Sequence, residues 1–291
     1  MLEAHLREAV TPRAAERDCR RSRIERVRNG RAMDLAFHVT PHKEGKKVTK
    51  RAWLCHTVIV VLCLGVLLTA STAYAQYWVS FADNTRYMAL GDSLSAGYGA
   101  HPATQGFVYG LYQSGVIDNV NNTLLCNVGV PNATSGDVRT YQLPQVALFF
   151  ADTGIAYRQI ITLTVGGNDL QQILGGADAA TVLNTLAVNL SAILGSLAGN
   201  FPLAQIYVAN QYDPGLGLPG EAGAIAAANA LIAQVVGAVP SAMLVDVFSA
   251  FQGRSGLLLV ERKGADQFQV HPTNAGYQVM QKTFADAIGK P

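Results

Sequence analysis

Five short apolar segments, separated by segments of helical periodicity, restrict the possible folds of this chain more than any other feature. Runs of this length, most of them bounded by Gly, Asn, Asp or Pro, are typical of β-strands. Between them, apolar residues recur every three or four positions over residues 180–197 and 225–239, which predicts amphipathic helices, and residues 277–288 predict a last one. The predicted strands are residues 86–90, 123–128, 159–165, 205–210 and 243–247.

This alternation predicts an α/β domain in which helices cover both faces of a parallel sheet. Residues 76–291 contain no internal repeat and no low-complexity linker, so we expect one domain with a sizeable core. In such folds ligands bind beyond the carboxyl ends of the strands. The residues that directly follow each predicted strand are therefore the candidates for a functional site.

The charge of the chain divides it into two parts. Residues 1–75 carry 14 of the 22 Lys and Arg and a net charge of +7, whereas residues 76–291 have a net charge of −5. A nucleic-acid partner would require a basic surface. The charge of the second part therefore argues against nucleic-acid binding.

The first part has the layout of a secretory signal peptide. Basic residues at 43–51 precede an apolar run at 57–70, and Ala73-Tyr74-Ala75 resembles a cleavage site. We expect cleavage after Ala75, a secreted or cell-surface protein, and no stable membrane insertion of residues 76–291. An uncleaved anchor over residues 52–75 is the alternative. The basic segment 1–51 is either an additional arm or the result of a mis-assigned start, with initiation at Met33.

Cysteine usage predicts neither a metal site nor a disulfide within residues 76–291. Cys126 is the sole cysteine of that part, and its apolar neighbours predict a small core residue. No CxxC or Cys/His cluster is present that would bind a metal.

A glycine-flanked serine follows the first predicted strand. Residues 91–95 read GDSLS, and a tight turn there would expose the hydroxyl of Ser93. A serine becomes a good nucleophile only when a base takes its proton. Residues 76–291 contain two histidines, His101 and His271, so a histidine base must be one of them. Pro272 favours an extended backbone at His271, which would direct the ring away from a helix.

Two further loops offer hydrogen-bond donors. Residues 165–169, after the third strand, read VGGND, and the Asn168 amide is a neutral donor of the kind that stabilises an oxyanion. The alternative is an Asx turn that caps the next helix. Residues 127–135, after the second strand, would supply a backbone N–H, or simply form a turn before a helix capped by Ser135.

These motifs resemble the conserved blocks of the SGNH hydrolases, also called GDSL lipases and esterases. Residues 91–94 resemble the first block, with Ser93 as nucleophile. Residues 166–169 resemble the third block, with Asn168 in the oxyanion hole. Residues 271–272 resemble the fifth block, with His271 as general base. Three short motifs in the right order, spread over residues 87–280, are specific together.

The resemblance implies a three-layer α/β/α sandwich of the flavodoxin-like kind, with about five parallel strands and an open active site. It implies hydrolysis of carboxylic acyl esters, of lipids or of acylated carbohydrates, without metal or cofactor. The oxyanion would be held by the N–H groups of Ser93 and Asn132 and by the Asn168 side chain. Gly91, Asp92, Gly166 and Gly167 would support these groups.

The chain departs from the family at two positions. Asn132 stands where the family usually has glycine, but the donor there is a backbone N–H, and Asn tolerates a left-handed conformation. Phe268 stands where the family has its triad acid, three residues before His271. Either Asp266 replaces that acid, or a backbone carbonyl orients His271 and the site is a Ser–His dyad.

A GxGxxG match at residues 215–220 does not predict a dinucleotide site, because Pro219 stiffens the loop. We expect this loop to form a wall of the ester site. Two other functions remain open at this point. The fold would also serve an acyltransferase, and Phe268 is compatible with a catalytically weak surface binding protein.

Overall fold

A parallel sheet of five strands lies at the centre of the structure, which is a computed structural model describing residues 84–151, 157–262 and 268–289. The spatial order of the strands is 2-1-3-4-5, the flavodoxin-like order. The strands are β1 (Thr85–Gly91), β2 (Thr123–Asn127), β3 (Arg158–Thr164), β4 (Ala204–Ala209) and β5 (Ala242–Val245). All five predicted strands are confirmed, and every boundary lies within two residues of its prediction.

Helices connect these strands, as the apolar periodicity predicts. They are α1 (Ser93–Ala96), α2 (Phe107–Ser114), α3 (Ser135–Asp137), α4 (Leu143–Phe149), α5 (Gly167–Leu174), α6 (Ala179–Asn200), α7 (Glu221–Gly237), α8 (Val247–Phe251) and α9 (Asn274–Ile288). A π-helical turn, Val138–Gln142, joins α3 to α4, and short 3₁₀ turns lie at Ala103–Gln105, Val120–Asn122 and Ser255–Leu257.

The sheet is buried on both faces, which confirms the three-layer sandwich. Alternate residues of a strand point to opposite faces. Met88 and Leu90 of β1 belong to the cluster that contains the buried stripe of α6, including Leu190 and Ile193. Tyr87 and Ala89 of β1 belong to the cluster formed with α2 and α9. Residues of both clusters in β1 are fully buried.

Among the described residues, α6 is the one helix whose length and composition would allow it to span a membrane. Its apolar stripe, however, is buried against the sheet: Leu186, Leu190, Ile193, Leu194 and Leu197 have no exposed surface. The helix is therefore a core element of the sandwich.

An antiparallel hairpin follows the sheet and was not predicted. It consists of β6 (Leu258–Arg262) and β7 (Phe268–Pro272), with His271 paired to Leu259. The short apolar run of β6 follows β5 without a helix long enough to show a period, so the alternation rule does not detect it. The hairpin positions His271 at the end of β7.

One sequence expectation needs correction. Cys126 is buried as predicted, but it is disulfide-bonded rather than unpaired. The expectation did not include this bond, because residues 76–291 contain no second cysteine. Residues 1–83 lie outside the described residues, so the segment boundaries 1–51, 52–75 and 76–291 and the cleavage site stay predictions. The same holds for Asp266.

Candidate active site

The turn after β1 exposes Ser93 at the carboxyl edge of the sheet. Gly91 ends the strand with a φ of 133°, a left-handed value that favours glycine, and a Cβ there would lie 2.1 Å from the Thr164 carbonyl oxygen. Asp92 then caps α1 by accepting the Leu94 N–H at 3.0 Å. Ser93 is the first residue of α1, where a backbone N–H has no partner within the helix.

Side chains distant in sequence hold this turn in place. The Gln142 amide forms two hydrogen bonds with the backbone of Gly91, both 2.7 Å long. The Thr164 hydroxyl donates to Asp92 at 2.9 Å, and Ser95 bonds the Leu90 carbonyl oxygen at 2.7 Å. Neither Gln142 nor Thr164 belongs to a recognisable motif, so the sequence offered no signal for them.

His271 contacts Ser93 directly. Its Nε2 lies 2.9 Å from the Ser93 Oγ, although 178 residues separate the two in sequence. The imidazole packs against the ring of Tyr98, with centroids 4.6 Å apart. The backbone of Tyr98 is in turn fixed, because its N–H donates to the Ser93 carbonyl oxygen and its own carbonyl accepts the Tyr277 hydroxyl. The distance between Nε2 and Oγ is suitable for proton transfer.

The second histidine of the domain lies elsewhere. His101 is exposed, and its backbone N–H and carbonyl bond the Asn274 side chain at 3.0 and 2.7 Å. The sequence offers two histidines as candidates for the base, and the structure places His271 next to the serine.

Asn132 lies in a tight turn beside this pair. The Ala133 N–H donates to the Val130 carbonyl oxygen at 3.1 Å, with Pro131 and Asn132 in the central positions. Asn132 has a φ of 67° and is the one non-glycine with positive φ among the described residues. Proline followed by a residue with positive φ is typical of a type II turn, in which glycine or asparagine is favoured. The backbone conformation thus accommodates asparagine where the family has glycine.

Asn168 is held by the same turn. Its Nδ2 donates to the Ala133 carbonyl oxygen at 2.9 Å, which fixes the orientation of the amide. An amide nitrogen carries two hydrogens, so one donor remains for a ligand. The preceding Gly166 has a φ of 114°, and a Cβ on Gly167 would lie 3.0 Å from Gln211 Oε1. Both glycines therefore serve the close packing at the start of α5.

Asp169 joins α5 to α3. Its carboxylate accepts the Ser135 N–H at 2.9 Å and the Ser135 hydroxyl at 2.6 Å. The Asn189 amide of α6 donates to the same hydroxyl at 3.0 Å. Burial raises the pKa of Asp169, and the hydrogen bonds from Ser135 oppose that rise. This buried network sets the position of Asn168 relative to Asn132.

Asp92 is a buried carboxyl next to the serine. Burial raises its pKa from 3.8 to about 6, although the Leu94 N–H and the Thr164 hydroxyl lower it. The negative charge of Asp169 adds a smaller increase. The carboxyl thus ionises at a higher pH than a solvent-exposed aspartate would, which the sequence did not indicate.

These residues face one cavity of about 360 Å³. Its lining includes Ser93, His271, Asn132, Asn168 and Asp92. The structure thus brings together the nucleophile, base and oxyanion-hole candidates named from the sequence, whereas Asp266, the candidate acid, lies outside the described residues.

The GxGxxG loop forms part of the cavity wall, as expected. Pro214, Leu216 and Leu218 line the cavity, together with Tyr212, which donates its hydroxyl to the Val270 carbonyl oxygen at 2.7 Å. The loop amides of Leu216 and Leu218 bond the carboxylate of Glu221. The loop N–H groups that a phosphate would need are thus already bonded to an acidic side chain.

Comparisons with known proteins agree with this geometry. A family model described as the GDSL-like lipase/acylhydrolase family matches residues 89–279. A comparison with curated protein sequences found no match.

Among solved structures, the chain is similar to the lipase Lip_vut3 from a goat rumen metagenome, with 24% identity, a TM-score of 0.56, and coverage of 70% of this chain and 97% of that chain. It is also similar to an extracellular lipase from Streptomyces rimosus, with 22% identity, a TM-score of 0.51, and coverage of 70% of this chain and 99% of that chain. A third similar structure is a variant of the acetyl xylan esterase Axe2 from Geobacillus stearothermophilus. It has 15% identity and a TM-score of 0.50, and the match covers 72% of this chain and 96% of that chain. At these identities the likeness establishes the fold, whereas the family match covers most of the chain. The chain belongs to the GDSL-like lipase/acylhydrolase family, whose members are hydrolases that act on esters.

Proposed function

We propose that this protein is an exported carboxylic ester hydrolase with Ser93 as nucleophile and His271 as general base. The single observation that carries the proposal is the 2.9 Å contact between the Ser93 Oγ and His271 Nε2 at the wall of the cavity. Export is supported by the signal-peptide layout of residues 43–75, and one structurally similar lipase is itself extracellular.

In this reaction the Ser93 Oγ attacks the ester carbonyl carbon while His271 Nε2 takes the hydroxyl proton. The bond to the leaving alcohol breaks as His271 returns that proton to the alcohol oxygen. A water molecule, deprotonated by His271, then releases the acid from the acyl-enzyme and restores Ser93. Two buried groups within hydrogen-bond distance are what such a relay requires.

The oxyanion that forms in each step needs donors already in position. We assign this role to the N–H groups of Ser93 and Asn132 and to the free hydrogen of the Asn168 amide. The Ser93 N–H has no hydrogen-bond partner within its helix, and the Asn132 N–H belongs to a central residue of a type II turn. The Asn168 amide is oriented by its hydrogen bond to the Ala133 carbonyl oxygen. Asp266 as the group that orients His271 remains part of the proposal.

The test is turnover of chromogenic esters of acetate, butyrate and octanoate by the full chain and its variants. Ser93→Ala and His271→Ala should each lower kcat by at least about 10³-fold, because neither step proceeds without the nucleophile or its base. His101→Ala is the matched control, since this exposed histidine contacts Asn274 only through its backbone, and its kcat should stay within about twofold.

Circular dichroism must show that each variant is folded. Undiminished turnover by folded Ser93→Ala would disprove the assignment of the nucleophile. Asp266→Ala then distinguishes a triad from a dyad: a loss of up to about 10⁴-fold supports a carboxylate beside His271, and a loss under about tenfold supports the dyad.

A further inference from the structure

A buried carboxylate binds the loop that closes one side of the cavity. Glu221, the first residue of α7, is 4% exposed. Its Oε1 accepts the Leu216 N–H at 3.2 Å, and its Oε2 accepts the Leu218 N–H at 3.0 Å. The backbone of Glu221 also donates to the Leu218 carbonyl oxygen at 3.1 Å. One acidic side chain thus makes the main hydrogen bonds of the loop at residues 213–220.

The loop needs this anchor because its backbone is unusually free. Gly215, Gly217 and Gly220 have φ values of 69°, 69° and 81°, and a Cβ on any of them would contact nothing within 4 Å. Glycines in open space restrict a chain little. A carboxylate at the start of a helix is favourable in itself, since the N-terminus carries partial positive charge. Here that carboxylate also selects one conformation of the adjoining loop.

In that conformation the loop completes an apolar wall. Leu216 and Leu218 line the cavity, as do Leu170 and Leu174 of α5 and Ile225 of α7. Leu170 and Ile225 belong to a buried cluster together with Leu186 and Ala228, so this side of the cavity rests on the core. Leu174 is 38% exposed and lies at the outer end of the same wall.

The chemistry of the proposed reaction decides which half of an ester meets this wall. The leaving alcohol receives its proton from His271 and therefore lies on the hairpin side of the cavity. The carbonyl oxygen points to the Asn168 amide, so the acyl chain takes the remaining direction, away from the hairpin, where Leu170 and Leu174 follow Asn168 along α5. The apolar wall therefore faces the acyl chain.

We propose that Glu221 is a positioning residue that folds residues 213–220 into the outer wall of an acyl pocket, and that this pocket favours longer acyl chains such as octanoate over acetate. The cavity has a volume of about 360 Å³, and the five apolar side chains of its wall offer a long acyl chain more apolar surface than the methyl group of acetate can cover. This inference rests on the proposed function.

The experiment compares kcat/KM for p-nitrophenyl octanoate and acetate, below the solubility limit of the octanoate ester. Each buried methylene contributes up to about fourfold in binding, so the parent should prefer octanoate by at least about tenfold. Leu216→Trp fills the pocket, and Glu221→Ala releases the loop. Both should lower the octanoate-to-acetate ratio by at least about tenfold, mainly through a higher KM for octanoate. Glu221→Gln retains one acceptor oxygen and should fall between Glu221→Ala and the parent.

Two controls separate the pocket from general destabilisation. Asp178→Ala also removes a carboxylate that accepts a backbone N–H at a helix start, and Leu203→Trp places an indole at a position that is 79% exposed. Neither residue lines the cavity, so both variants should keep the parent ratio within about twofold.

A parent-like ratio in folded Leu216→Trp and Glu221→Gln would refute the acyl pocket while leaving ester hydrolysis by Ser93 intact. These two variants decide the question even where Glu221→Ala does not fold. Failure of the proposed function has a different signature, namely that Ser93→Ala hydrolyses acetate esters as fast as the parent.

Discussion

At the scale of single residues, the site depends on backbone conformations that few side chains allow. Gly91 has no room for a Cβ against Thr164, and Asn132 occupies a left-handed position in its turn. Asparagine costs less there than a bulky or β-branched residue would. The exchange of the family glycine for asparagine therefore changes the side chain at the cavity and leaves the backbone N–H in place.

Asp92 carries a prediction at this scale. Its pKa of about 6 in the folded protein exceeds 3.8, so the folded state binds the proton more tightly than the unfolded state. The resulting stabilisation is complete below about pH 3.8 and is lost as the pH rises through 6. The difference corresponds to about 3 kcal/mol of unfolding free energy between those limits.

Asp92→Asn should therefore gain stability relative to the parent on going from pH 4 to pH 8, by up to about 3 kcal/mol, since its carbonyl oxygen still accepts the Leu94 N–H. Urea unfolding at the two pH values measures this. Asp178→Asn is the control with the opposite sign, because hydrogen bonds from Thr181 lower the pKa of Asp178. If the difference in unfolding free energy between the parent and Asp92→Asn is the same at pH 4 and pH 8, then ionisation of Asp92 does not destabilise the folded protein and the prediction is wrong.

At the scale of elements, the donors of the proposed oxyanion hole come from three separate pieces of chain, namely the turn after β1 and the segments that follow its two neighbouring strands. The turn at residues 130–133 follows β2, and Asn168 begins α5 after β3, on the other side of β1. Asp169 connects them through its two hydrogen bonds to Ser135, and Asn189 of α6 supports that contact. The relative position of the donors in these two segments therefore depends on one buried carboxylate.

Asp169→Asn should lower kcat for ester hydrolysis by about 10- to 100-fold with a smaller change in KM. An amide accepts one Ser135 hydrogen and directs its own N–H toward the other, which shifts Asn168 from its place in the oxyanion hole. Steady-state kinetics on acetate esters tests this. Asp137→Asn is the control, since among the described residues the Asp137 carboxylate accepts hydrogen bonds from Thr134 of its own capping box, and its kcat should stay within about threefold. Equal losses in both variants would argue against a specific role for Asp169.

At the scale of the whole molecule, the described residues form a complete sandwich with both faces of the sheet covered. The site lies at the carboxyl edge of the sheet, where β1 and its neighbours end. This is the location that the strand-and-helix alternation predicts for a ligand.

The proposed export concerns the whole chain and carries its own prediction. Expressed in a secreting host, the protein should appear in the medium with Gln76 as its first residue, because residues 73–75 resemble a signal-peptidase site. N-terminal sequencing of the secreted protein measures this. A control with Ala73→Phe and Ala75→Phe removes the small residues and should prevent that cleavage. Full-length protein recovered from membranes would instead support the anchor at residues 52–75.

The sequence by itself determined the five strands, the parallel sheet, the covering helices and three motif residues, Ser93, Asn168 and His271. Strand patterns and short motifs depend on neighbours along the chain, so they can be read locally. The tertiary structure decided that His271 Nε2 lies within hydrogen-bond distance of the Ser93 Oγ, that β6 and β7 pair, and that Gln142, Asp169 and Glu221 support the site. Those facts depend on packing between segments up to 178 residues apart. No local pattern encodes such distances, because they result from the register of the strands and the burial of the whole core.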